Sequence, residues 1–546
     1  MTTEKQKQPR SLYMLFFAEM WERFSFYGMR ALLVLYLTRQ LFADLGEAGA
    51  EAKAYGIYAA YGSLVYATPF LGGIIADKLL GYKKSVLLGG VLMAIGHFIM
   101  AIETEFFLYV ALAFLIAGNG FFKPNISSMV GGLYDDRNDP RRDGGFTIFY
   151  MGINLGAGVA PLVCGYLGET VGWWLGFGLA GLGMLAGLAV FGWGQGMLGE
   201  NGNPPSDLLK EKIGPVNWEI ATYVLAVISC VVFALLVQHY ELMTYVLTPF
   251  AIGVFAVIFV TAVRSEKVER ERLFVVLVLL FFSTLFWAFF EQAGSSMTVF
   301  TNLNVDRGSI RASLFQSVNP TFILILAPLF SLLWVKLGVR GKEPSTPVKF
   351  ALGILQLGLG FVLLGYSAGF VMDGTVEVTE ATADGGTAIV TQVAAVVPLF
   401  FLVGAYFLHT TGELCLSPIG LSMVTKLSPQ RIMAMVMGAW FLSSAMAHHV
   451  GGIIALLTKA PETGEAPGQL AVDMGVLSSL DGKSAELLES YDRIANSTDV
   501  FAQLGWVAVG AAALCLVLSP LLAKWMHLDV ADSPAPKRTE EEPSTF

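Results

Sequence analysis

Ser11-Leu12-Tyr13-Met14-Leu15-Phe16-Phe17-Ala18-Glu19-Met20-Trp21-Glu22-Arg23-Phe24-Ser25-Phe26-Tyr27-Gly28-Met29-Arg30-Ala31-Leu32-Leu33-Val34-Leu35-Tyr36 decides the fold. The stretch is long and apolar enough for a membrane-crossing helix, for which about 20 residues suffice. It nevertheless holds Glu19, Glu22, Arg23 and Arg30. Each charge costs about 2.5–3.5 kcal/mol at the centre of an inserted helix, so these residues must face one another or a wet cavity. Glu19, Glu22, Arg23, Phe26, Tyr27 and Arg30 fall at i, i+3, i+4, i+7, i+8 and i+11, which is a single helical stripe. At 1.5 Å per residue the stripe is about 16 Å long, roughly half the hydrocarbon thickness. A polar wall of that depth lines a path for a small polar solute.

The rest of the chain has the composition of a lipid-solvated protein. Of its 546 residues, 55% are apolar and only 14% charged, with a mean hydropathy of +0.63, which leaves no room for a sizeable soluble domain. Apolar runs at 11–42, 55–77, 85–102, 106–133, 144–167 and 173–193 form a first group. A polar segment at 199–215 precedes two runs at 218–237 and 243–263. The final group comprises 273–300, 310–337, 350–372, 396–425, 433–458 and 501–526. The expected architecture is an all-α integral membrane protein with about fourteen spans. Its parts are a six-helix bundle over 1–198, a linker with two additional helices over 199–269, a second six-helix bundle over 270–527 and a polar tail over 528–546.

Lys83, Lys84, Arg141, Arg142, Arg270, Arg272, Lys342 and Lys349 gather on one side, which places both termini in the cytoplasm. The opposite loops, 373–386 and 460–498, read as polar and partly disordered segments without chemistry. No cleaved signal is expected. The net charge of -9 reads as loop solvation, and no basic face suits nucleic acid. Cys164, Cys230, Cys415 and Cys515 lie in apolar runs without a CxxC pair, so neither a disulfide nor a metal site is expected. The chain has no HExxH, GxSxG or P-loop pattern, which argues against an enzyme. Charges of both signs spread over paired helices argue against a channel built on filter loops.

Three further charges, Lys123, Glu291 and Glu413, sit inside predicted spans. The first helix of each group opposes the Glu19–Arg30 stripe to Glu291, and the fourth opposes Lys123 to Glu413. Arg30–Glu291 and Lys123–Glu413 are therefore the expected gating salt bridges between two pseudo-equivalent bundles. Four acids and three bases leave one excess negative charge, which one proton neutralises. Lys123 before Pro124, Gly412 before Glu413 and Asn319 before Pro320 mark places where helices can bend. Tyr66, Asn154, Trp287 and Trp440 are candidate cavity residues, whereas His97, His448 and His449 read as packing or loop residues.

Glu19-Met20-Trp21-Glu22-Arg23-Phe24-Ser25-Phe26-Tyr27-Gly28 resembles the ExxERFxYYG signature of the proton-dependent oligopeptide transporters of the major facilitator superfamily. Further resemblances are Phe149-Tyr150-Met151-Gly152-Ile153-Asn154, Phe122-Lys123-Pro124-Asn125, Phe286-Trp287 with Glu291-Gln292, and Gly412-Glu413-Leu414 with Ser417-Pro418. Gly72-Gly73-Ile74-Ile75-Ala76-Asp77-Lys78 through Lys83-Lys84 is similar to the superfamily's loop motif. The resemblance implies symport of di- and tripeptides with protons, with no cofactor, in a bacterial inner membrane, by a protein working as a monomer. It implies that Arg23, Arg30 and Lys123 hold the peptide carboxylate, and that Glu413 holds the amino end with Asn154 and Asn319. Tyr27, Tyr66, Trp287 and Trp440 would accept side chains, with Ser417 also in the binding set. Glu291 would be the first proton acceptor, with Glu19 and Glu22 as further carriers. Phe26 departs from the signature by replacing its first tyrosine, which removes one hydroxyl contact. A proton-coupled transporter of nitrate, a drug or an amino-acid derivative is the alternative on the same scaffold.

Overall fold

The computed structural model describes residues 7–134, 139, 141–382, 386–429, 432–461 and 466–528. The first bundle contains α1 (Arg10–Tyr36), α2 (Gly46–Ile75), α3 (Gly81–Met100), α4 (Glu105–Gly131), α5 (Arg141–Ala160), α6 (Tyr166–Thr170) and α7 (Trp173–Gly194). A small antiparallel pair, β1 (Lys212–Ile213) and β2 (Val216–Asn217), leads to α8 (Trp218–Gln238) and α9 (Leu242–Arg264). The second bundle has α10 (Lys267–Phe290), α11 (Ser296–Asn304), β3 (Val305–Asp306), α12 (Val318–Val339) and α13 (Thr346–Tyr366). It continues through β4 (Met372–Ala381), β5 (Thr387–Pro398), α14 (Leu399–Leu427), α15 (Met433–Leu457), α16 (Gln469–Asp473) and α17 (Ala485–Trp525).

Twelve helical stretches among the described residues are long and apolar enough to cross a membrane, and one of them holds both α2 and α3. Helix α1 is not in that set because its charged stripe interrupts the apolar run. Small residues permit close helix packing, as in membrane proteins generally. A Cβ on Gly156 of α5 would lie 2.2 Å from the Met20 carbonyl oxygen of α1, and one on Gly358 of α13 would lie 2.9 Å from that of Gly505 in α17. Helix α8 packs on α4 and α9 on α10 and α15, while Leu225, Ile228 and Val231 of α8 remain exposed to the membrane.

Two segments read as polar loops contain regular structure among their described residues. Residues 372–381 and 387–398 pair as the antiparallel strands of a hairpin, with Val376 opposite Gln392 and Val378 opposite Val390. Alternating Val and Thr supplies the period of two that a half-buried strand needs. The apolar run starting at 396 is thus strand through Pro398 and helix only from Leu399. Likewise α17 starts at Ala485 and has 41 residues, because Leu487, Leu488, Tyr491, Ile494 and Ala495 supply a buried helical face before the apolar run begins. At 1.5 Å per residue it is about 61 Å long, twice the hydrocarbon thickness.

The hairpin belongs by sequence to the second bundle, yet Val376, Val378 and Val396 are buried in one cluster with α1 and α2 of the first. Nearby, Glu169 of α6 accepts from the Ser313 N–H at 2.8 Å and from the Thr379 hydroxyl at 3.4 Å. The Ser317 hydroxyl donates to the Gly158 carbonyl at 2.7 Å. Arg493 of α17 pairs with Glu47 and Glu51 of α2. All these links lie at the end that bears the hairpin, here the hairpin end, opposite the basic end that carries Lys83, Lys84 and Arg141. The two bundles are joined at the hairpin end.

Candidate functional site

The stripe on α1 is buried, with Glu19 2%, Glu22 0% and Arg23 3% exposed. Arg23 Nη2 donates to Glu22 Oε1 at 2.7 Å, Nε also contacts Glu22, and Nε lies 3.2 Å from Glu19 Oε1. Two carboxylates therefore share one guanidinium. Glu19 Oε2 has no hydrogen-bond partner among the described residues, which leaves an oxygen where a proton can reside. A buried ion cluster is weak evidence for stability, because desolvation offsets its attraction. Its presence points instead to function.

One and two turns further along α1, Tyr27 and Arg30 face the second bundle. Arg30 Nη2 lies 2.7 Å from Glu291 Oε2, joining the bundles, while its Nε donates to the Tyr58 hydroxyl at 2.9 Å. Glu291 opens a tight turn, Glu291–Gly294, where α10 breaks before α11. Gly294 makes the approach possible: a Cβ there would fall 1.9 Å from the Tyr58 hydroxyl oxygen and 2.9 Å from Arg30 Nη2. His448 Nε2 is 3.8 Å from the other Glu291 oxygen, and its ring stacks on Tyr66 at 4.7 Å. The Lys123 ammonium lies 4.3 Å above the opposite partner of that stack, the Tyr66 ring. Phe26, Arg30, Tyr58, Tyr61, Tyr66 and His448 line a narrow cavity of about 10 Å³, room for a single water.

In the second bundle Asn319 donates to Glu413 Oε2 at 2.9 Å and contacts the Thr410 hydroxyl at 3.0 Å. Lys123 and Glu413 form no ion pair in this arrangement among the described residues: the carboxylate is held by Asn319 and the ammonium by an aromatic face. Asn154 is buried and donates to the Tyr150 carbonyl of its own helix at 3.0 Å. Trp287 meets Phe286 and Phe290 edge-on at 5.4 and 5.2 Å. Trp440 covers Gly420, where a Cβ would approach the indole to 2.2 Å. Tyr27 meets Phe26 edge-on at 5.2 Å, below the Arg30 guanidinium. The side chain of Ser417 lies outside the described residues.

Tyr58 and Tyr61 were not singled out from sequence, and His448 was read as a packing residue. The signal was present, since Tyr58, Tyr61 and Tyr66 share one face of α2 at i, i+3 and i+8. His97 contacts the Ser25 hydroxyl at 3.1 Å and His449 the Thr244 hydroxyl at 3.1 Å, both in helix packing. Among the described residues no cluster of His, Cys, Asp and Glu could hold a metal ion.

Arg30 of the first bundle thus meets Glu291 of the second beside this cavity, and residues 83–470 match the model of the POT family. The chain belongs to the POT family. This POT member is 37% identical over 488 residues to the peptide transporter YePEPT of Yersinia enterocolitica, covering 84% of this chain and 90% of that one. It is also 37% identical over 476 residues to the di-/tripeptide transporter of Lactococcus lactis, covering 83% and 90%. A crystal structure of a peptide transporter POT with sulfate superposes with a TM-score of 0.73 at 35% identity, covering 95% of this chain and 96% of that one. A POT family transporter crystallised with 5-aminolevulinic acid gives 0.71 at 30% identity, covering 94% and 97%. The POT member has the major facilitator architecture, two six-helix bundles with α8 and α9 between them.

Proposed function

We propose that this chain imports di- and tripeptides in symport with protons by alternating access. The observation that carries the reading is the Arg30–Glu291 ion pair, buried between the bundles beside the Glu19, Glu22 and Arg23 cluster. A proton on Glu291 removes its charge, releases Arg30 and unlatches the hairpin end. Glu19 and Glu22 are the further proton carriers. The membrane field adds about 2.3 kcal/mol per charge per 100 mV to this step.

Arg23, Arg30 and Lys123 receive the peptide carboxylate, and Glu413 receives the amino end with Asn154 and Asn319. Side chains rest on Tyr27, Tyr66, Trp287 and Trp440, with Ser417 in the same set. An extended residue spans about 3.3–3.6 Å, so two fixed ends restrict the cargo to roughly two or three residues. Lys123 and Glu413 pair when the basic end closes. In this reading the basic end faces the cytoplasm of a bacterium, and both termini lie there with the 528–546 tail. The bundles divide as 1–198 and 270–527 around a 199–269 linker, the monomer suffices, the proton is the coupling ion, and the chain catalyses no chemical reaction and needs no cofactor.

In proteoliposomes, di-alanine but not alanine is expected to drive proton influx. Proton influx that is indifferent to di-alanine overturns the reading. The amino-acid derivative 5-aminolevulinic acid, which one solved relative holds, carries an amine and a carboxylate at its ends and is the second cargo to assay.

A further inference from the structure

Beyond Arg30 toward the hairpin end lies a second, narrow cavity of about 20 Å³, lined among others by Thr38, Arg39, Glu47, Glu51, Asn302 and Leu303. Arg39 sits in a single π turn, Leu37–Leu41, at the end of α1, and such turns recur at functional sites because they re-aim a side chain. Its Nη2 atom is buried without a hydrogen-bond partner among the described residues. A buried guanidinium nitrogen left in that state has lost its water and gained nothing in return. The neighbouring polar groups are engaged elsewhere. Thr38 donates to the Val34 carbonyl at 2.9 Å, and Asn302 accepts from Arg307 at 3.1 Å.

The acids on the facing wall have the opposite status. Glu47 and Glu51 are one turn apart on α2, and both are taken by Arg493, which arrives from α17 of the other bundle. Glu51 also accepts from the Ala460 N–H at 2.8 Å. The cavity wall therefore offers a guanidinium with one unpartnered nitrogen and two acids whose hydrogen-bonded cation is delivered by a helix of the other bundle. When the hairpin end opens, α17 moves with its bundle, and Arg493 is withdrawn from Glu47 and Glu51. The wall then presents one positive and two negative groups, all on the first bundle.

We propose that this wall is an outer binding site for a zwitterion with separated ends, and that Arg493 occupies its acidic half in the closed state. Arg39 takes the carboxylate of the arriving molecule, and Glu47 with Glu51 takes its ammonium, so that closure by Arg493 displaces the cargo inward toward Arg30. The proposal rests on the peptide reading above and adds to it a first stop on the path, distinct from the Arg23, Lys123 and Glu413 chamber.

The test uses di-alanine and the full-length protein reconstituted in one orientation. Arg39→Gln is expected to raise KM about tenfold for di-alanine arriving from the hairpin end, to leave KM from the basic end within twofold, and to be largely rescued by Arg39→Lys. Glu51→Gln leaves Arg493 short of a partner and can unfold the protein, so the double variant Glu51→Gln, Arg493→Gln accompanies it, with the same one-sided rise expected. An unchanged KM from the hairpin end in Arg39→Gln overturns the site, and so does an equal rise from both ends. A wild-type protein that moves di-alanine from neither end overturns the peptide reading itself, a result visible before any variant is made.

Discussion

Arg30 and Glu291 meet at 2.7 Å across the two bundles, with their side chains 11% and 8% exposed. The geometry makes the pair a two-position element: the acid can bind either the guanidinium or a proton, and only the first choice holds the bundles together.

Glu291→Gln removes the titrating group while keeping the shape of the side chain. Concentrative uptake under a proton gradient is expected to fall at least tenfold, with counterflow of di-alanine retained. Uptake into proteoliposomes with and without the gradient checks this, and retained gradient-driven accumulation would assign the proton elsewhere.

Arg30→Glu and Glu291→Arg each place two like charges at this interface, and breaking a buried pair costs about 3–5 kcal/mol. Each single variant is expected to lose both transport and thermal stability. The double exchange should restore stability measurably, which a melting curve in detergent reads directly.

Tyr58→Phe deletes the hydroxyl that receives the Arg30 Nε–H. A hydrogen bond to a charged group contributes about 1.5–3 kcal/mol, so the hairpin end should open more often. Accessibility of a cysteine placed at Leu303, buried in the cavity at the hairpin end, to a membrane-impermeant maleimide is expected to rise. Gly294→Ala, whose Cβ would overlap the Tyr58 hydroxyl, should act in the same direction and more strongly.

Asp373 at the start of β4 accepts from Lys483 at 2.5 Å and from the Tyr491 hydroxyl at 2.7 Å. The Lys483 hydrogen bond first, and that of Tyr491 second, hold its carboxyl below the ordinary aspartate range. A depressed pKa contributes stability that is complete above the unfolded value, near 3.9, and is lost as pH falls through the lower folded value. Hydrogen-exchange protection over β4, taken relative to the intrinsic rate at each pH, should thus be unchanged from pH 7 to pH 5 and fall only in stronger acid. Asp373→Asn should remove that acid step, with a neutral-pH cost of no more than about 1 kcal/mol for so exposed a pair.

The α1 stripe was legible in the sequence because burying charge in lipid is costly enough to demand a cavity, and Arg30–Glu291 followed from comparing the two groups of helices. Lys123–Glu413 followed from the same comparison, but helix correspondence fixes which residues can face each other and not which end is closed. The hairpin escaped because Glu377, Glu380 and Asp373 make its composition polar, and polarity outweighed the alternation of Val and Thr. Glu51 and Arg493 escaped for a related reason. Both lie in polar stretches near the ends of spans, where charges are cheap to place, and only the fold reveals that each is buried by the other's bundle.

The unusual length of α17 has a mechanical consequence. With its middle gripped by the bilayer, its outer half is a rigid arm of about 30 Å. Arg493 stands 12 residues, about 18 Å, from that middle, so a tilt of roughly 10° carries it sideways by about 3 Å, farther than a hydrogen bond can stretch. A rotation too small to disturb packing at the membrane centre is thus enough to tear Arg493 from its two acids, so the arm amplifies modest rocking below into all-or-none parting above.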